Sequence, residues 1–210
     1  CDDLLRWSNS MVAMYQSNRS YETELAANQA TIDFTRFLES YIVHRRKNLR
    51  SDLLSHLITA ADEENKLTNA ELVSTIILLL NAGHEATVHT LGNALNTLLP
   101  TPHRSITPDL IEEVLRFDPP LHVFTRHAYK NIQCFGHVIE KGQEVACVLA
   151  SANRDPAFSE NPNDFNPLRK PLQHQSFGAG IHFCVGAPLA RLEIKLGLET
   201  LFERLPALKK

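Results

Sequence analysis

Residues 176–192 read SFGAGIHFCVGAPLARL and form the most informative stretch of the sequence. Glycines at 178, 180 and 186 surround Cys184, which lies three residues before Ala187-Pro188. Proline is favoured in the first turn of a helix, and the apolar pattern that follows predicts a helix from about Ala187 to Arg204. Cys184 therefore precedes a helix N-terminus, where unpaired N–H groups and the helix dipole favour a thiolate. We interpret Cys184 as an anionic ligand, because the alternative, a small buried hydrophobe, leaves the three glycines unexplained.

The segment FGAGIHFCVG resembles the heme-ligand loop of the cytochrome P-450 family, whose pattern is F-x-x-G-x-[H/R]-x-C-x-G. The resemblance implies heme b as the cofactor, with Cys184 as its axial thiolate ligand, which pushes electron density onto iron and favours O–O cleavage. It places His182 at the basic residue that holds a heme propionate. Phe177 takes the place of the aromatic residue on the sulfur side of the ring, and Gly178 belongs to the same cofactor-binding loop.

The bulk composition is typical of a soluble globular protein. The chain has 210 residues, of which 43% are hydrophobic and 21% charged, and its formal net charge of −3 gives no reason to expect nucleic acid. The four cysteines have no C-x-x-C spacing, so we expect free thiols in a reducing compartment, the cytoplasm. The most apolar run, Ile76–Leu80, is far shorter than a membrane-spanning helix, so we expect no membrane segment.

The hydrophobic pattern of the rest of the chain is mainly helical. Predicted helices cover Asp2–Ser17, Thr23–Leu49, Asp52–Ala61, a long stretch from the capping box Thr68–Glu71 to Pro100, and Pro108–Phe117. Aromatic and β-branched residues between His122 and Leu149 predict short strands and hairpins, and Asn153–Pro171 little regular structure. The prediction is a mainly α fold with a small β portion. The resemblance makes it the C-terminal part of a cytochrome P-450-like fold, with residues 1–210 as a single partial domain.

The middle of the long helix reads AGHEAT at residues 82–87. His84 and His89 are five residues apart and so point in different directions from a helix, which excludes a zinc site of the H-E-x-x-H type. Gly83 within a helix costs about 1 kcal/mol relative to Ala, which suggests that a flat group approaches the backbone there. Considered alone, Ala82-Gly83 is better explained as a small-residue contact between helices.

AGHEAT is also similar to the family's A-G-x-[D/E]-T-[T/S], whose acid and alcohol widen the helix and relay protons toward dioxygen. The resemblance makes Gly83 part of the heme site and Glu85 the acid. Ala86 stands at the alcohol position and cannot donate a hydrogen bond. Protons would then come from Glu85 through water, from Thr87, or from a substrate hydroxyl.

Glu113 and Arg116 form an E-x-x-R pair, three residues apart on one helical face. The resemblance implies that this pair is buried and that an arginine before the phenylalanine of a P-x-x-F motif joins it. That position is Asp164, in Pro162-Asn163-Asp164-Phe165, so we expect the third partner to be absent.

The segment after Pro119-Pro120 is implied to face the heme and the substrate. Arg126 is the second implied propionate ligand, since its fork geometry suits a carboxylate. The substrate pocket is implied to include His122, Val123 and Phe124, together with Ala82 and Ala86 of the long helix.

The resemblance implies a heme-thiolate monooxygenase that oxidises a small apolar substrate with dioxygen and takes electrons from a ferredoxin or reductase. It covers essentially the whole chain, but without the family's N-terminal portion and C-terminal hairpin, and with a shorter connection between Leu99 and Asp109. Two alternatives stay open. One is a peroxide-dependent enzyme, suggested by Ala86, and the other is a non-catalytic heme-binding or degenerate fragment.

Overall fold

A computed structural model describes residues 2–16, 18–63, 66–170 and 173–209. These residues are mainly helical, with four short strands. In chain order the elements are α1 (Asp2–Val12), α2 (Tyr21–Arg46), α3 (Leu53–Asp62), α4 (Asn69–Leu98), α5 (Pro108–Phe117), β1 (Val123–His127), β2 (Ile132–Cys134), β3 (His137–Ile139), β4 (Glu144–Val148), α6 (Leu149–Ala152) and α7 (Ala187–Arg204). The mainly α fold with a small β portion is confirmed.

The chain divides into two compact units, Cys1–His84 and Glu85–Lys210, so that α4 contributes to both. The first unit packs α1 to α3 and the start of α4 around an apolar core. Its fully or nearly fully buried members include Phe34, Ile58 and Leu72. Arg45 is also buried, donating to Ser55 Oγ at 3.0 Å and pairing with Asp52, the N-cap residue of α3.

The second unit packs the end of α4 against α5 and α7. Its core consists of aliphatic side chains from these helices and of Ile106 from the connection before α5; the helical members are Ala94, Leu98, Leu110, Ile111, Val114, Leu115, Ile194 and Leu198. Gly197 lies at a close crossing with α4, since a Cβ there would lie 3.0 Å from a methyl carbon of Leu91 and that side chain would have to shift by a few tenths of an ångström. This core holds α5 beside α7, and the two helices carry most of the charged residues discussed below.

Two small antiparallel sheets lie between α5 and α7 in the sequence. In one, β1 pairs with β4 in the register Phe124↔Cys147 and Arg126↔Val145. In the other, β2 and β3 form a hairpin through Phe135-Gly136. Both turn residues have positive φ, +48° and +79°, as a two-residue hairpin turn requires.

Side-chain caps explain where α2, α3, α4 and α5 begin. The capping box of α4 is confirmed, because Glu71 N–H donates to Thr68 Oγ1 at 3.2 Å and Thr68 N–H donates to Glu71 Oε2 at 2.8 Å. Thr107 caps α5, which begins at Pro108 as predicted, and α7 has its predicted bounds.

Several predicted boundaries were wrong by a few residues. The first helix changes to a 3₁₀ turn at Ala13, and its predicted end at Ser17 lies outside the described residues. Helix α2 begins two residues earlier than predicted, because Ser20 rather than a later residue provides the cap. It ends at Arg46, where Lys47 N–H bonds back to His44 O at 3.3 Å. The short α6 was not predicted. Residues 153–170 lack long helices or strands, as predicted, and Pro171 lies outside the described residues.

No helix in the described part of the chain is both long enough and apolar enough to cross a membrane.

Candidate heme-ligand site

The loop that carries Cys184 is shaped by two glycines in the left-handed region. Gly178 has φ +70° and Gly180 has φ +64°, and residues 180–182 form a single 3₁₀ turn. The turn brings the chain back on itself, so that the Cys184 N–H donates to Phe177 O at 2.9 Å. The left-handed backbone at 178 and 180 is therefore the physical reason for glycine at these positions.

Cys184 is followed directly by the first turn of α7. Ala187 N–H donates to Cys184 O at 3.3 Å, and Ala190 N–H donates to Gly186 O at 2.9 Å. The thiol is half-buried and is not part of a disulfide. Cys184 therefore precedes the N-terminus of α7, as predicted from the proline two residues inside the helix.

The loop is anchored to α5 by buried polar residues. Ser176 donates to Leu115 O at 2.7 Å and accepts from Asn153 Nδ2 at 2.9 Å. Asn153 Oδ1 in turn accepts from the Gln175 N–H at 2.6 Å. Because Ser176 and Asn153 are both buried, these bonds fix the position of the loop on the body of the second unit.

A second anchor uses charged side chains. Arg191 of α7 forms a fork with Glu112 of α5, at 2.5 and 2.8 Å, and His174 Nε2 lies 3.1 Å from the same carboxylate. The Arg191 guanidinium also lies 4.6 Å from the centre of the Phe177 ring. Burial alone would raise the pKa of Glu112, but hydrogen bonds from Arg191 and His174 outweigh it and lower the pKa to about 2.

The E-x-x-R pair is completely buried. Arg116 forms a fork with Glu113, at 2.7 and 2.8 Å, and both side chains are at most 1% exposed. Arg116 also donates to the carbonyl oxygens of Asn153, Pro162 and Asp164 at 2.8–3.1 Å. The pair therefore holds the irregular segment 153–164 against α5.

The expectation that this pair lacks a third partner is wrong. Arg169 Nε lies 3.5 Å from Glu113 Oε2, and the arginine is buried. Its guanidinium also donates to Ser159 Oγ at 2.7 Å and to Asp164 O at 2.9 Å. Asp164 provides only its backbone, so the arginine is supplied by a position five residues later. The sequence offers one signal for this contact, an arginine in a polar, proline-rich segment. An arginine side chain is rarely buried unless it is paired with an acid.

The structure places the residues of the AGHEAT segment on different parts of α4. Ala82 and Gly83 are exposed and belong to the first unit, whereas Glu85, Ala86 and Thr87 are partly buried in the second. Every residue from 69 to 98 is described and lies in one continuous α-helix.

Thr87 makes a contact that the sequence did not indicate. Its hydroxyl donates to Glu193 Oε2 of α7 at 3.3 Å. Ala86 O accepts a hydrogen bond from the buried Thr90 hydroxyl at 2.7 Å. Thr87 therefore lies on the side of α4 that faces α7.

The remaining predicted residues lie on exposed surfaces of the second unit. Arg126 on β1 donates to Thr125 O at 2.8 Å, and no carboxylate partner of Arg126 occurs among the described residues. His122 is exposed, with its Nε2 3.8 Å from Asp118 Oδ1. Val123, Phe124 and His182 are exposed as well. Among the described residues, no acidic side chain binds Arg126 and would compete with the carboxylate of a ligand.

Comparison with known proteins identifies the family. The family model described as Cytochrome P450 matches residues 11–105 and 102–207, which together are most of the chain. The chain belongs to the cytochrome P450 family. The two matched segments overlap at residues 102–105, within the stretch where the connection was expected to be short.

Relatives at 35–38% identity cover nearly all of this P450 chain. They include the biotin biosynthesis cytochrome P450 of Bacillus subtilis (strain 168), 35% identical over 99% of the chain and 54% of the relative. The polyketide biosynthesis cytochrome P450 PksS of the same organism is 38% identical over 95% of the chain and 50% of the relative. The chain therefore spans about half the length of the curated relatives it matches.

Solved P450 structures show the same architecture. The crystal structure of P450BioI in complex with hexadec-9Z-enoic acid ligated acyl carrier protein superposes with a TM-score of 0.89, at 35% identity, over 98% of this chain and 55% of that one. CYP109E1 from Bacillus megaterium in complex with testosterone gives 0.87 at 33% identity, over 98% and 56%. The fold of this chain is thus that of the corresponding part of a P450.

P450 enzymes are oxidoreductases that carry a heme ligated by a cysteine thiolate. The residues near Cys184 fit that group. Ile181 is 97% exposed and Val185 89% exposed, and both flank a half-buried thiol. Large apolar side chains beside a soft sulfur ligand suit a flat apolar macrocycle with an iron centre.

Proposed function

We propose that this chain carries the heme-ligand part of a P450 monooxygenase, with residues 1–210 forming part of a single heme-thiolate domain. The observation that supports it best is the position of Cys184. A half-buried, unpaired thiol follows a loop bent by Gly178 and Gly180 and precedes the N-terminus of α7. Backbone N–H groups and the helix dipole at that end stabilise a thiolate. The free thiols also support a cytoplasmic location.

Five further residues are proposed to hold the heme. Phe177 would pack on its sulfur side, beside the backbone of Gly178, and Gly83 would allow close approach from α4. His182 and Arg126 would bind the propionates. Their exposure, and the absence of a carboxylate bound to Arg126 among the described residues, support this role.

A thiolate-ligated heme supplies the reductive activation of dioxygen and the insertion of oxygen into a substrate. In this chain the proposed proton carrier is Glu85. Ala86 lacks a hydroxyl, and the Thr87 hydroxyl donates to Glu193. The Thr87 hydroxyl proton would therefore be engaged in a hydrogen bond to a carboxylate. Thr87 is proposed to contribute less to proton transfer than Glu85.

The proposed substrate is a small apolar molecule, bound near Ala82, Ala86, His122, Val123 and Phe124. Exposed apolar side chains on β1 support a surface that would contact such a ligand. P450BioI was crystallised with a fatty acyl carrier protein and CYP109E1 with testosterone, so relatives accept extended as well as compact apolar ligands. The proposed electron donor is a separate ferredoxin or reductase.

Heme titration followed by the ferrous–CO spectrum tests the proposal. We expect the chain to bind one heme and to give the red-shifted band of a thiolate-ligated iron. Cys184→His should abolish the shift, whereas Cys147→Ser, which changes an exposed cysteine on β4, should keep it. Failure to bind heme stoichiometrically would refute the proposal and favour a degenerate fragment, and a retained shift in Cys184→His would show that another residue is the ligand.

One observation favours a second candidate, a peroxide-dependent oxygenase. Ala86 has no hydroxyl at the alcohol position, and the Thr87 hydroxyl donates to Glu193, so the usual alcohol of the proton relay is missing. Peroxide already carries both protons, so a peroxide-driven reaction does not require this relay. Turnover with peroxide but not with dioxygen and a reductant would support this candidate.

A further inference from the structure

The outer side of α7 carries a row of exposed leucines. Leu189, Leu192 and Leu196 are 51–59% exposed and follow the three- and four-residue spacing of one helical face. The opposite side of the same helix is buried in the second unit through Ile194 and Leu198. Helix α7 is therefore apolar on two sides, and the described residues cover only one of them.

Helix α4 continues this uncovered surface. The Thr87 hydroxyl donates to Glu193 and Leu91 packs on Gly197, so the two helices lie side by side. Val88, which directly follows Thr87, is 53% exposed. Large apolar side chains thus stay exposed on both helices next to their contact, and a patch of this kind marks an interaction surface. We define the α4–α7 face as Val88, Leu189, Leu192 and Leu196.

A heme bound to Cys184 would not cover the leucines of this face. Cys184 lies just before the first turn of α7, which begins at Ala187. Leu196 is nine residues further along the helix, a distance of roughly 14 Å at about 1.5 Å per residue. The α4–α7 face therefore requires another occupant.

A second copy of this chain fits the face poorly. Glu193 is exposed near the middle of the leucine row, where it accepts the neutral Thr87 hydroxyl, and no cation pairs with it among the described residues. Pairing of two such rows about a two-fold axis brings both copies of Glu193 to about the same height. Like charges at that point are destabilising, so the face suits a helix that brings a lysine or arginine instead.

The length of the relatives identifies an occupant of this kind. The chain covers 54% of the biotin biosynthesis cytochrome P450 and 55% of the P450BioI chain in the crystal structure, where the TM-score is 0.89. Nearly half of such a protein lies outside the shared part. Its apolar side chains are buried against the surfaces that the shared part leaves open, because helices with an apolar side stack into layers around a core.

We propose that the α4–α7 face binds an amphipathic helix from the N-terminal portion of a cytochrome P450. The apolar side of that helix covers the leucines of α7, and a lysine or arginine at its edge pairs with Glu193. The association rests on the fold rather than on the proposed function, and it does not require heme.

Binding in solution is the first test. The probe is a purified polypeptide that contains the biotin biosynthesis cytochrome P450 of Bacillus subtilis up to the point where its match with this chain begins. We expect a 1:1 complex in analytical ultracentrifugation. Leu192→Glu should weaken it at least about tenfold, because a carboxylate would be buried against an apolar partner. Leu168→Glu is the matched control and should leave the affinity unchanged, since Leu168 is 83% exposed in the irregular segment, outside the face.

The charge of Glu193 is tested in the same assay. Glu193→Gln should weaken the complex by about two- to fivefold, the size expected of an exposed ion pair. High salt should lower the affinity of the wild type but not that of Glu193→Gln. Equal affinity and equal salt dependence in both proteins would refute the pairing of Glu193 with a cation.

A fused chain makes the second test independent of the affinity of separate parts. The same N-terminal portion is joined to the start of this chain, Leu192→Cys is treated with a maleimide, and labelling at residue 192 is read by mass spectrometry. We expect labelling at least about tenfold slower in the fused chain than in this chain alone, because the docked helix covers the position. Leu168→Cys should be labelled equally fast in both.

Equal labelling of residue 192 in the two chains would overturn the proposal. A wild-type dimer that Leu192→Glu dissociates would overturn it as well, since a second copy would then occupy the face. Protection of residue 192 in a fused chain that binds no heme would support the docking proposal and refute the proposed function. Heme binding without protection of residue 192 would do the reverse.

Discussion

The Thr87 hydroxyl lies 3.3 Å from Glu193 Oε2, so a residue of α4 next to the proposed oxygen site is joined to α7. The same face of α4 continues through Leu91, which packs on Gly197, to the buried Ala94. Thr87 therefore belongs to the contact between the two helices. Ala86 precedes Thr87 and therefore points away from this face of the helix. A hydroxyl introduced at Ala86 would change proton delivery without disturbing the contact between α4 and α7.

Ala86→Thr should improve oxidation with dioxygen. The new hydroxyl would stand beside Glu85 and could pass its proton, a function that contributes roughly 10²–10⁴-fold in enzymes with a positioned acid. We expect at least about a tenfold rise in product formed per electron donor oxidised. The matched control is Ala86→Val, which has nearly the same shape but no hydroxyl. Equal gains in both variants would show that side-chain volume, not proton transfer, is responsible.

Arg169→Lys should destabilise the protein by about 2–4 kcal/mol, because lysine cannot reach Glu113, Ser159 and Asp164 with one ammonium group. The free energy of unfolding in urea measures the effect. Lys170→Ala provides the control next to it, since the Lys170–Asp109 pair is exposed and its loss should change stability by less than about 0.5 kcal/mol. Similar losses in both variants would mean that the buried contacts of Arg169 contribute little.

Local sequence signals predicted the elements well but missed contacts between distant residues. The bounds of α5 and α7 followed from Pro108 and from Ala187-Pro188, since caps and prolines act within a few residues. The approach of Arg169 to Glu113 spans more than fifty residues, and nothing local to either residue encodes it. Thr87 and Glu193 are likewise separated by most of the second unit.

Acid should weaken the protein partly through Glu112. The bonds from Arg191 and His174 hold the pKa of Glu112 at about 2, below the ordinary value of 4.5. A carboxyl whose pKa is lowered by folding contributes stability above its unfolded pKa, and this contribution is lost as the pH falls from about 4.5 to 2. Because the group is partly exposed, we expect about 1–2 kcal/mol.

The measurement for Glu112 is the unfolding free energy of wild type and Glu112→Gln at pH 6 and pH 3. The difference between the two proteins should be larger at pH 6 and should shrink toward pH 3. The pKa of Asp52 is also lowered to about 2, chiefly by its hydrogen bond with Arg45. Asp52 is present in both proteins, so its contribution to the pH dependence of stability cancels in the comparison. A difference that does not depend on pH would show that the carboxylate charge is not what stabilises the contact.

Gly178→Ala should weaken the ligand loop through its backbone rather than through crowding. At φ +70° an alanine costs roughly 1–2 kcal/mol, whereas its Cβ would lie at an ordinary 3.5 Å from His182 O. Gly186 has φ −83°, and a Cβ there would lie 3.8 Å from Cys184 Sγ, so Gly186→Ala carries no such strain. We therefore expect Gly178→Ala to lower the unfolding free energy by about 1–2 kcal/mol and to speed heme loss, and Gly186→Ala to change stability by less than about 0.5 kcal/mol. If Gly186→Ala lost as much stability as Gly178→Ala, space around the sulfur rather than left-handed backbone would be the reason for glycine in this loop.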